Sequence, residues 1–433
     1  MLMFDPEIEM LSKEKLQELQ LERLKKMVKY AYNNVPMYRK RMDDAGVNPT
    51  KVANLDDFAK ISFTKKDDLR DHYPYGIRAV PLVQINRLHA SSGTTGKPTV
   101  VSYTENDLRT WGRLMARTYA AAGVTREDIV QNAYGYGLFT GGLGFHYGAE
   151  ILGCTVIPTA TGNTKRQLMM AKDMGSTVLA ATPSYAMYLA EAAPKEGYDL
   201  QKDFKFKIGM FGAEPWSEEA RQRIQNALGL RAHDVYGMSE LYGPGVAVEC
   251  IHQNGLHIWG DEFLVEVIDP DTGEVLPEGS YGEMVFTMLT REAMPLLRYR
   301  TRDLATVTWE ECECDRFHPR IMRIKGRSDD MLIIGGVNVF PSQVETVLMG
   351  MEGVGDQYQI IIDRDILDKL QVKVEVDEKF FKSPDYNAAK FAKKLVDEMT
   401  AVMTIRANVE LMAPGTLPRT EGKAKRVIDL RKE

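Results

Sequence analysis

A short run of small, hydroxyl-bearing and basic residues, SSGTTGKPT, occupies positions 91–99. The backbone N–H groups and hydroxyls of such a loop can surround a phosphate or another anion. The run is not a Walker-type P-loop, because only two residues separate Gly93 from Gly96 and a proline follows Lys97. Composition alone also allows a flexible surface turn. The candidate anion ligands are Ser91, Ser92, Gly93, Thr94, Thr95, Gly96 and Lys97.

Three of the four cysteines form a second group of residues that could do chemistry. Cys312 and Cys314 make a C-x-C motif, and Cys250 begins the stretch CIHQNGLH. A turn at QNG would bring Cys250 close to either His252 or His257. His318 is a third histidine that the spacing leaves open as a rival. Three thiolates and one imidazole satisfy a closed tetrahedral zinc site, which would be structural. The alternative is a set of reduced thiols without a metal.

The elements that must position these residues follow from the apolar pattern. The stretch LQELQLERLKKMVKYAY has helical spacing and ends before Pro36. Further on, the strand-like runs DIVQNAY, CTVIPTA, STVLAAT, KIGMFGA and AHDVYG alternate with helix-length segments. This alternation predicts a parallel sheet covered by helices. Because ligands bind beyond the carboxyl ends of such strands, the loops YGYGLFTGG, GAEPW and YGMSE are the expected sites of chemistry.

The pattern changes twice in the second half of the chain. From about residue 245, apolar and polar residues alternate around turn signals, which predicts antiparallel hairpins. The last hundred residues predict a small α+β domain, and the charged break GRSDD marks its beginning. The predicted fold is therefore α/β: a large N-terminal domain, residues 1–328, with mostly parallel sheets and an antiparallel β region, and a small C-terminal domain, residues 329–433.

Composition excludes several classes of function. The chain has 433 residues, 27% charged residues and a formal net charge of −6, which disfavours nucleic acid and anionic membranes as partners. The sequence has no apolar run of membrane-spanning length, and its first residues do not resemble a signal peptide. Four cysteines in this length favour reduced thiols. A cytoplasmic protein is the expectation.

Taken together, these motifs resemble the adenylate-forming superfamily of acyl-CoA synthetases, peptide-synthetase adenylation domains and luciferases. Within it, the chain is most similar to the phenylacetate–CoA ligase family. The similarity runs from LERLKKMVKYAYNNVPMYRKRMDDAG to LPRTEGKAKRVIDL, nearly the full length, and its most specific stretches are HASSGTTGKPTV, QNAYGYGLFTGGLGFHYGAE, FGAEPW, RYRTRDL and GRSDDMLIIGGVNVFPSQVE. The resemblance implies that the loop at 91–97 holds the β- and γ-phosphates of ATP.

The resemblance also implies a two-step reaction. An aryl carboxylate attacks the α-phosphate of ATP, which releases pyrophosphate and forms an acyl-adenylate, and coenzyme A then displaces AMP. Such catalysis needs positioning and charge stabilisation rather than a covalent nucleophile. The implied partners are the acid, ATP and CoA, and a homodimer is compatible with the resemblance.

Matching motif positions assigns the nucleotide-binding residues. Glu240 would bind Mg²⁺, Asp303 would accept the ribose hydroxyls, and Arg327 would reach ribose or phosphate. The remaining implied nucleotide ligands are Ala213, Glu214, Pro215, Asp234, Tyr236, Gly237, Met238 and Ser239.

Two assignments fall on the small domain. Lys423, in PRTEGKAKR, would stabilise the charge that develops at the α-phosphate, for which a flexible point charge is suited. Asp329 matches the hinge about which the small domain turns between the two half-reactions.

The acyl pocket is expected after the first long parallel strand. The segment AYGYGLFTGG places aromatic rings among glycines, and a core strand or helix would avoid so many glycines. No Lys or Arg lies in the segment to bind a second carboxylate, so an aryl or arylalkyl monocarboxylate fits best. The expected pocket residues are Tyr134, Gly135, Tyr136, Phe139 and Gly212.

The family pattern favours His257 as the fourth ligand of the zinc site. This chain departs from the family pattern at four positions. Gly335 stands where the pattern has Arg, Gly260 and Glu262 stand where it has Glu and His, and Asp315 stands where it has Gly. The change at Gly335 puts the contacts to CoA in question rather than the adenylation chemistry. Two alternative functions stay open: an adenylating enzyme that passes its acyl group to a carrier protein, and a non-catalytic nucleotide-binding homologue.

Overall fold

The computed structural model describes residues 3–75, 77–91, 98–334, 337–364, 368–403, 405–420 and 423–432. The α-helices are α1 Pro6–Glu9, α2 Lys13–Asn34, α3 Pro36–Asp44, α4 Leu55–Ala59, α5 Lys66–Asp71, α6 Glu105–Ala121, α7 Gly141–Leu152, α8 Thr164–Met174, α9 Pro183–Lys195, α10 Glu218–Leu228, α11 Pro341–Gly350, α12 Glu378–Phe381 and α13 Ala388–Met403. Short 3₁₀ helices cover Leu82–Gln84, Ser239–Leu241 and Leu430–Lys432. Within this part of the chain, no helix is both long and apolar enough to cross a membrane.

The strands are β1 Arg87–Ser91, β2 Thr99–Tyr103, β3 Ile129–Asn132, β4 Thr155–Ile157, β5 Val178–Ala181, β6 Ile208–Gly212, β7 Arg231–Met238, β8 Gly243–Glu249, β9 Leu256–Ile258, β10 Phe263–Ile268, β11 Tyr281–Met288, β12 Tyr299–Thr308, β13 Arg320–Ile321, β14 Gly326–Arg327, β15 Leu332–Ile334, β16 Val337–Val339, β17 Val354–Arg364, β18 Asp368–Val376, β19 Asn408–Met412 and β20 Val427–Asp429. The predicted runs of the parallel region are thus strands β3 to β7, and the predicted helices between them are α7 to α10.

The first long helix ends before Pro36, as predicted, and a second helix begins at that residue. Ser12 caps α2 by accepting a hydrogen bond from the Lys15 N–H group, and the buried face of the helix repeats at three- and four-residue spacing. Helix α3 begins at Pro36, where the missing N–H group and fixed φ suit the first helical position.

One large sheet carries both the parallel and the antiparallel region. Its order is β10-β11-β12-β13-β9-β8-β7-β6-β5-β3-β4, with β14 paired to β12. Strands β4, β3, β5, β6 and β7 are parallel neighbours, and the sheet becomes antiparallel at the β7–β8 pair. The predicted α/β fold is confirmed, and the two regions predicted from different sequence patterns form one continuous sheet.

The C-terminal region is the predicted α+β unit. It contains a four-stranded sheet in the order β19-β18-β17-β20 and the β15–β16 hairpin. The amphipathic helix α13 buries Phe391, Leu395, Met399 and Met403 in its apolar core. The side chains of this unit share an apolar cluster with those of α9 and α10, so the two units pack directly against each other.

Arg223 of α10 makes several hydrogen bonds between the two units. Its guanidinium donates to the carbonyls of Met349 and Val354, both at 2.9 Å, and of Met351 at 3.2 Å. It also pairs with the carboxylate of Asp356 at 3.0 Å. The carbonyls at a helix C-terminus have no partner within their own helix, so a side chain of the large unit caps the end of α11.

Candidate functional site

The loops that the sequence marked for chemistry lie at one edge of the sheet. Strands β3, β6 and β7 end at Asn132, Gly212 and Met238, and their carboxyl ends point the same way because the strands are parallel. Strand β1 joins this edge, since the Ala90 N–H group donates to the Leu138 carbonyl at 3.0 Å. Ser91 ends β1, whereas the predicted anion ligands Ser92, Gly93, Thr94, Thr95, Gly96 and Lys97 lie outside the described residues.

A buried carboxylate lies between an aromatic hydroxyl and a guanidinium. The Tyr236 hydroxyl donates to Oδ2 of Asp303 at 2.6 Å, and Arg327 Nη1 donates to Oδ1 at 3.0 Å. The β12–β14 register sets Asp303 directly opposite Arg327. Burial raises the pKa of Asp303, and the guanidinium of Arg327 opposes that rise. Three predicted nucleotide ligands thus form one hydrogen-bonded group that can accept vicinal hydroxyls.

Arg327 also connects this group to the predicted hinge. Its Nε and Nη2 atoms donate to the two carboxylate oxygens of Asp329, at 2.9 and 3.0 Å. The predicted hinge residue is therefore held by the same guanidinium that holds Asp303.

Glu240 lies in the 3₁₀ turn that follows β7 and is 2% exposed. Its Oε1 atom is buried and has no hydrogen-bond partner among the described residues, although the ammonium of Lys66 lies 3.3 Å away. A buried, incompletely satisfied carboxylate oxygen is suited to a hard divalent cation, so Glu240 fits the magnesium role. Its neighbour Ser239 is also buried, and its hydroxyl lies 3.4 Å from that of Thr140.

Sequence reasoning missed Lys66. Thr64, two residues before Lys66, exchanges backbone hydrogen bonds with Arg298 and Arg300 at 3.0 and 2.9 Å, which fixes the start of α5 beside β12. Lys66 thereby reaches Glu240, which is remote from it in sequence. The sequence signal, two lysines at the beginning of a short helix, is not specific for a site.

The loop after β6 requires an unusual backbone. A Cβ atom on Gly212 would come within 2.2 Å of the Val235 carbonyl oxygen, so only glycine fits there. Ala213 has a φ of 72°, in the left-handed region that side chains other than glycine rarely adopt. Ala213 and Pro215 are exposed at the edge of the sheet, and Glu214 between them is partly buried.

The other predicted residues on β7 are less open to a ligand. The Asp234 N–H group donates to Glu249 at 2.8 Å, and burial, followed by the charge of Glu249, raises the pKa of the Asp234 carboxyl. Gly237 is in close contact with the next strand, because a Cβ atom there would lie 2.0 Å from the Gly243 carbonyl oxygen. Met238 is partly buried at the end of the strand.

Lys423 belongs to the C-terminal segment that contacts this edge. Its side chain is exposed, and the N–H group of the next residue, Ala424, donates to the Glu214 carboxylate at 2.9 Å. The predicted catalytic lysine and the predicted adenine loop are therefore adjacent.

The predicted acyl-pocket residues are enclosed to different degrees. Tyr134 is 2% exposed and stacks on Phe145 with ring centroids 4.5 Å apart. The Tyr136 hydroxyl accepts from the Asn132 amide at 2.7 Å, whereas Phe139 is 43% exposed. Gly135 faces Thr161, and a Cβ atom there would lie 3.6 Å from it. Tyr134 and Tyr136 are held firmly, and Phe139 lies at the surface end of the loop.

The thiols of Cys250, Cys312 and Cys314 meet the imidazole of His257 in a buried cluster. One ligand atom from each of the four residues lies within 4.8 Å of the other three. The Cys250 and Cys312 sulfurs are 3.7 Å apart, close to the roughly 3.8 Å that two Zn–S bonds of about 2.3 Å require at tetrahedral angles. The Cys314 sulfur is 3.2 Å from His257 Nε2, and a hydrogen bond from Cys250 lowers the pKa of the Cys314 thiol. The donor set fits zinc.

The two rival histidines have other partners. His252 lies 3.3 Å from the Glu313 carboxylate, and His318 bonds to the Gly260 N–H group and the Ile8 carbonyl. Of the three histidines that the spacing left open, His257 is the one beside the thiols.

Three of the four departures from the family pattern fall on residues that the structure describes, and each has a local setting. Asp315 has a φ of 57°, which accounts for the glycine expected there. Gly260 packs against Leu16, and Glu262 is paired with Arg23 at 2.8 Å. Gly335 lies outside the described residues.

Comparisons with known proteins agree with this geometry. Residues 87–288 match the family model of the AMP-binding enzymes, and residues 336–431 match that of the AMP-binding enzyme C-terminal domain. A phenylacetate–coenzyme A ligase of Thermus thermophilus is 49% identical, and the alignment covers 100% of both chains.

Two solved structures of a 2-hydroxyisobutyryl-CoA ligase relate the chain to two domain arrangements. The complex in the postadenylation state has a TM-score of 0.92 at 31% identity and covers 99% of this chain and 92% of that one. The complex in the thioesterification state has a TM-score of 0.73 at 32% identity, over 98% of this chain and 91% of that one. The arrangement of the two units is therefore that of the postadenylation complex, and the chain belongs to the phenylacetate–coenzyme A ligase family of adenylate-forming enzymes.

Proposed function

We propose that this protein is an AMP-forming acid–thiol ligase that converts phenylacetate, or a related aryl acid, to its CoA thioester through an acyl-adenylate. The observation that carries the proposal is the buried Asp303 carboxylate between Tyr236 and Arg327, which presents acceptors for ribose hydroxyls beside Glu240. Its membership of a family whose curated relatives are named phenylacetate–coenzyme A ligases supports the acid and the acceptor.

The nucleotide would lie across the edge of the sheet. We assign adenine to the Ala213–Pro215 loop and the face of Tyr236, ribose to Asp303 and Arg327, and the phosphates to the 91–97 loop and Ser239. Glu240 would hold Mg²⁺, which neutralises phosphate charge when it is bound. Lys66, 3.3 Å from Glu240, adds a fixed positive charge at the same place.

The domain assignment belongs to the same proposal. The large domain, residues 1–328, would bind both substrates of the first step, and residues 329–433 would turn about Asp329 between the steps. Four cysteines without disulfide partners favour a reducing compartment, and we assign the protein to the cytoplasm.

The acyl pocket determines the first prediction. We expect kcat/KM for phenylacetate to exceed that for acetate and for a C10 fatty acid. In the proposed pocket Tyr134, Tyr136 and Phe139 would surround the ring, and the nearby glycines would leave a flat slot of limited depth. Each buried methylene contributes about 0.8 kcal/mol, so replacing benzyl by methyl should lower transition-state binding by several kcal/mol. Benzoate lacks the methylene that sets its carboxylate at the right distance and should also be poor.

The measurement is pyrophosphate release with and without CoA for phenylacetate, indoleacetate, benzoate, acetate and the fatty acid. Equal rates for acetate and phenylacetate would contradict the pocket assignment. Faster turnover of indoleacetate than of phenylacetate would mean that the pocket is aromatic but deeper, and only the identity of the preferred acid would change. Pyrophosphate release without any thioester in the presence of CoA would instead indicate a carrier protein as the acceptor.

We further propose that Cys250, His257, Cys312 and Cys314 hold one structural zinc ion. All four positions of a tetrahedral ion would be filled by protein, so the ion would join the β8–β9 turn to the loop before β13 and take no part in the reaction.

Metal analysis of never-denatured protein is expected to find about one equivalent of zinc, and Cys314→Ser should lose it together with thermal stability. Cys154→Ser is the matched control, because this buried cysteine lies outside the cluster and donates to the Thr125 carbonyl. Protein that holds no zinc and is indifferent to chelators would refute the site.

A further inference from the structure

The carboxylate of Glu214 joins the two domains at one point. Its Oε1 atom accepts hydrogen bonds from the N–H group of Ser184, at 2.7 Å, and from the Ser184 hydroxyl. Its Oε2 atom accepts from the N–H group of Ala424 at 2.9 Å. Each oxygen therefore serves one domain, and the bond to the small domain is made directly next to Lys423.

The large domain holds this carboxylate in a fixed place. Ser184 lies in the first turn of α9, where the helix dipole and unpaired N–H groups stabilise a negative charge. The left-handed φ of Ala213 and the close packing of Gly212 set the direction in which Glu214 leaves the sheet. Backbone conformations of this kind persist where the surrounding structure enforces them, and they concentrate at functional sites.

A second contact orients the same C-terminal segment. Arg419 pairs with Glu375 of the small domain at 2.6 Å and with Glu191 of α9 at 2.9 Å. The chain is thus attached to α9 at Arg419 and to the loop after β6 at Ala424. Lys423 lies between these two attachments with its side chain exposed.

We propose that Glu214 is a positioning residue for Lys423. By holding the Ala424 N–H group against the large domain, Glu214 would place the lysine ammonium at the α-phosphate during adenylate formation. The hydrogen bond from Ala424 to Glu214 would break when the small domain turns. This role rests on the proposed function, in which Lys423 acts in the first half-reaction. It differs from the adenine contact assigned to Glu214 above, because it acts through the small domain rather than through the nucleotide.

A double-mutant cycle with Glu214→Gln and Lys423→Met separates these two roles. Charge-assisted hydrogen bonds have a strength that corresponds to about ten- to a hundredfold in rate, and we expect Glu214→Gln to slow pyrophosphate release by that factor. Reaction of preformed phenylacetyl-adenylate with CoA should not slow. In the Lys423→Met background, Glu214→Gln should cause no further loss, because the group that it positions is already gone.

Glu218→Gln is the matched control, since Glu218 is partly exposed and pairs within its own helix with Arg221. Hydrogen exchange provides a readout that does not depend on turnover: the Ala424 amide should be protected in the wild type and should exchange faster in Glu214→Gln. Ser184→Ala, which removes one donor to the same carboxylate, should show a smaller change in the same direction.

Additive losses in the double mutant, or unchanged protection of the Ala424 amide, would overturn the positioning role and leave adenine contact as the function of Glu214. Normal pyrophosphate release by Lys423→Met alone would overturn the proposed function instead. The two failures are therefore distinguishable.

Discussion

Replacing Lys423 by alanine is expected to abolish adenylate formation from phenylacetate and ATP while the reaction of preformed phenylacetyl-adenylate with CoA continues. The loss should be on the order of 10²–10³, the effect of removing one group that stabilises charge developing in a transition state. In the second half-reaction the thiol attacks the acyl carbon rather than the α-phosphorus, and in the proposed cycle the small domain presents another face to it. Pyrophosphate release and thioester formation, measured separately, test the two steps.

Lys425→Ala is the matched control, because Lys425 is exposed on the same segment and carries the same charge. It should leave both half-reactions near their wild-type rates. Normal pyrophosphate release by Lys423→Ala would show that the lysine does not act at the α-phosphate. Equal loss of both half-reactions would indicate damage to the small domain as a whole.

Asp329→Pro is expected to have the opposite effect, with continued adenylation and failure of thioester formation. Proline fixes φ near −65°, so a residue that must change its backbone conformation between the two steps cannot do so. A conformational conflict of about 3 kcal/mol corresponds to roughly a hundredfold in rate. Single-turnover formation of the adenylate, followed by addition of CoA, measures both steps in one experiment.

The substitution also removes the carboxylate that Arg327 binds, so Asp329→Ala is needed beside it. The alanine variant loses the pairs at 2.9 and 3.0 Å but keeps its backbone freedom, and it should retain thioester formation. If both variants fail alike, the ion pair rather than rotation is the important feature of Asp329.

Local patterns carried enough information to predict the elements of the fold. The alternation between residues 128 and 238 corresponds to β3 through β7 with α7, α8, α9 and α10 between them. The prediction of these elements is correct because strands and amphipathic helices each impose a characteristic pattern of apolar residues on the local sequence. The continuity of the sheet across the β7–β8 pair was not predictable, because each of those strands has the same pattern whether or not it pairs with the other.

The candidate site was predictable where a motif fixes a residue and not where the fold brings distant residues together. Asp303 and Tyr236 were identified from their motifs, but their 2.6 Å contact depends on the packing of β7 near β12. Lys66 beside Glu240 and Ala424 beside Glu214 are contacts between remote segments, and no local signal marks them. Similarly, the spacing left three histidines open near the thiols, and the β8–β9 register determines which one is buried there.

The cap that Arg223 supplies to α11 has a consequence for the order of substrate addition. If the small domain turned, the guanidinium would lose its five acceptors, and both the guanidinium and the acceptors would be exposed to water. The acceptors are on Leu348, Met349, Met351, Val354 and Asp356. The free enzyme should therefore rest in the arrangement that accepts ATP and acid. Because a ligand that binds a sparsely populated conformation shows an apparent affinity reduced by that population, CoA should bind weakly to the resting enzyme. The hydrogen bonds that Arg223 makes at the end of α11 therefore favour an ordered mechanism in which the thiol enters last.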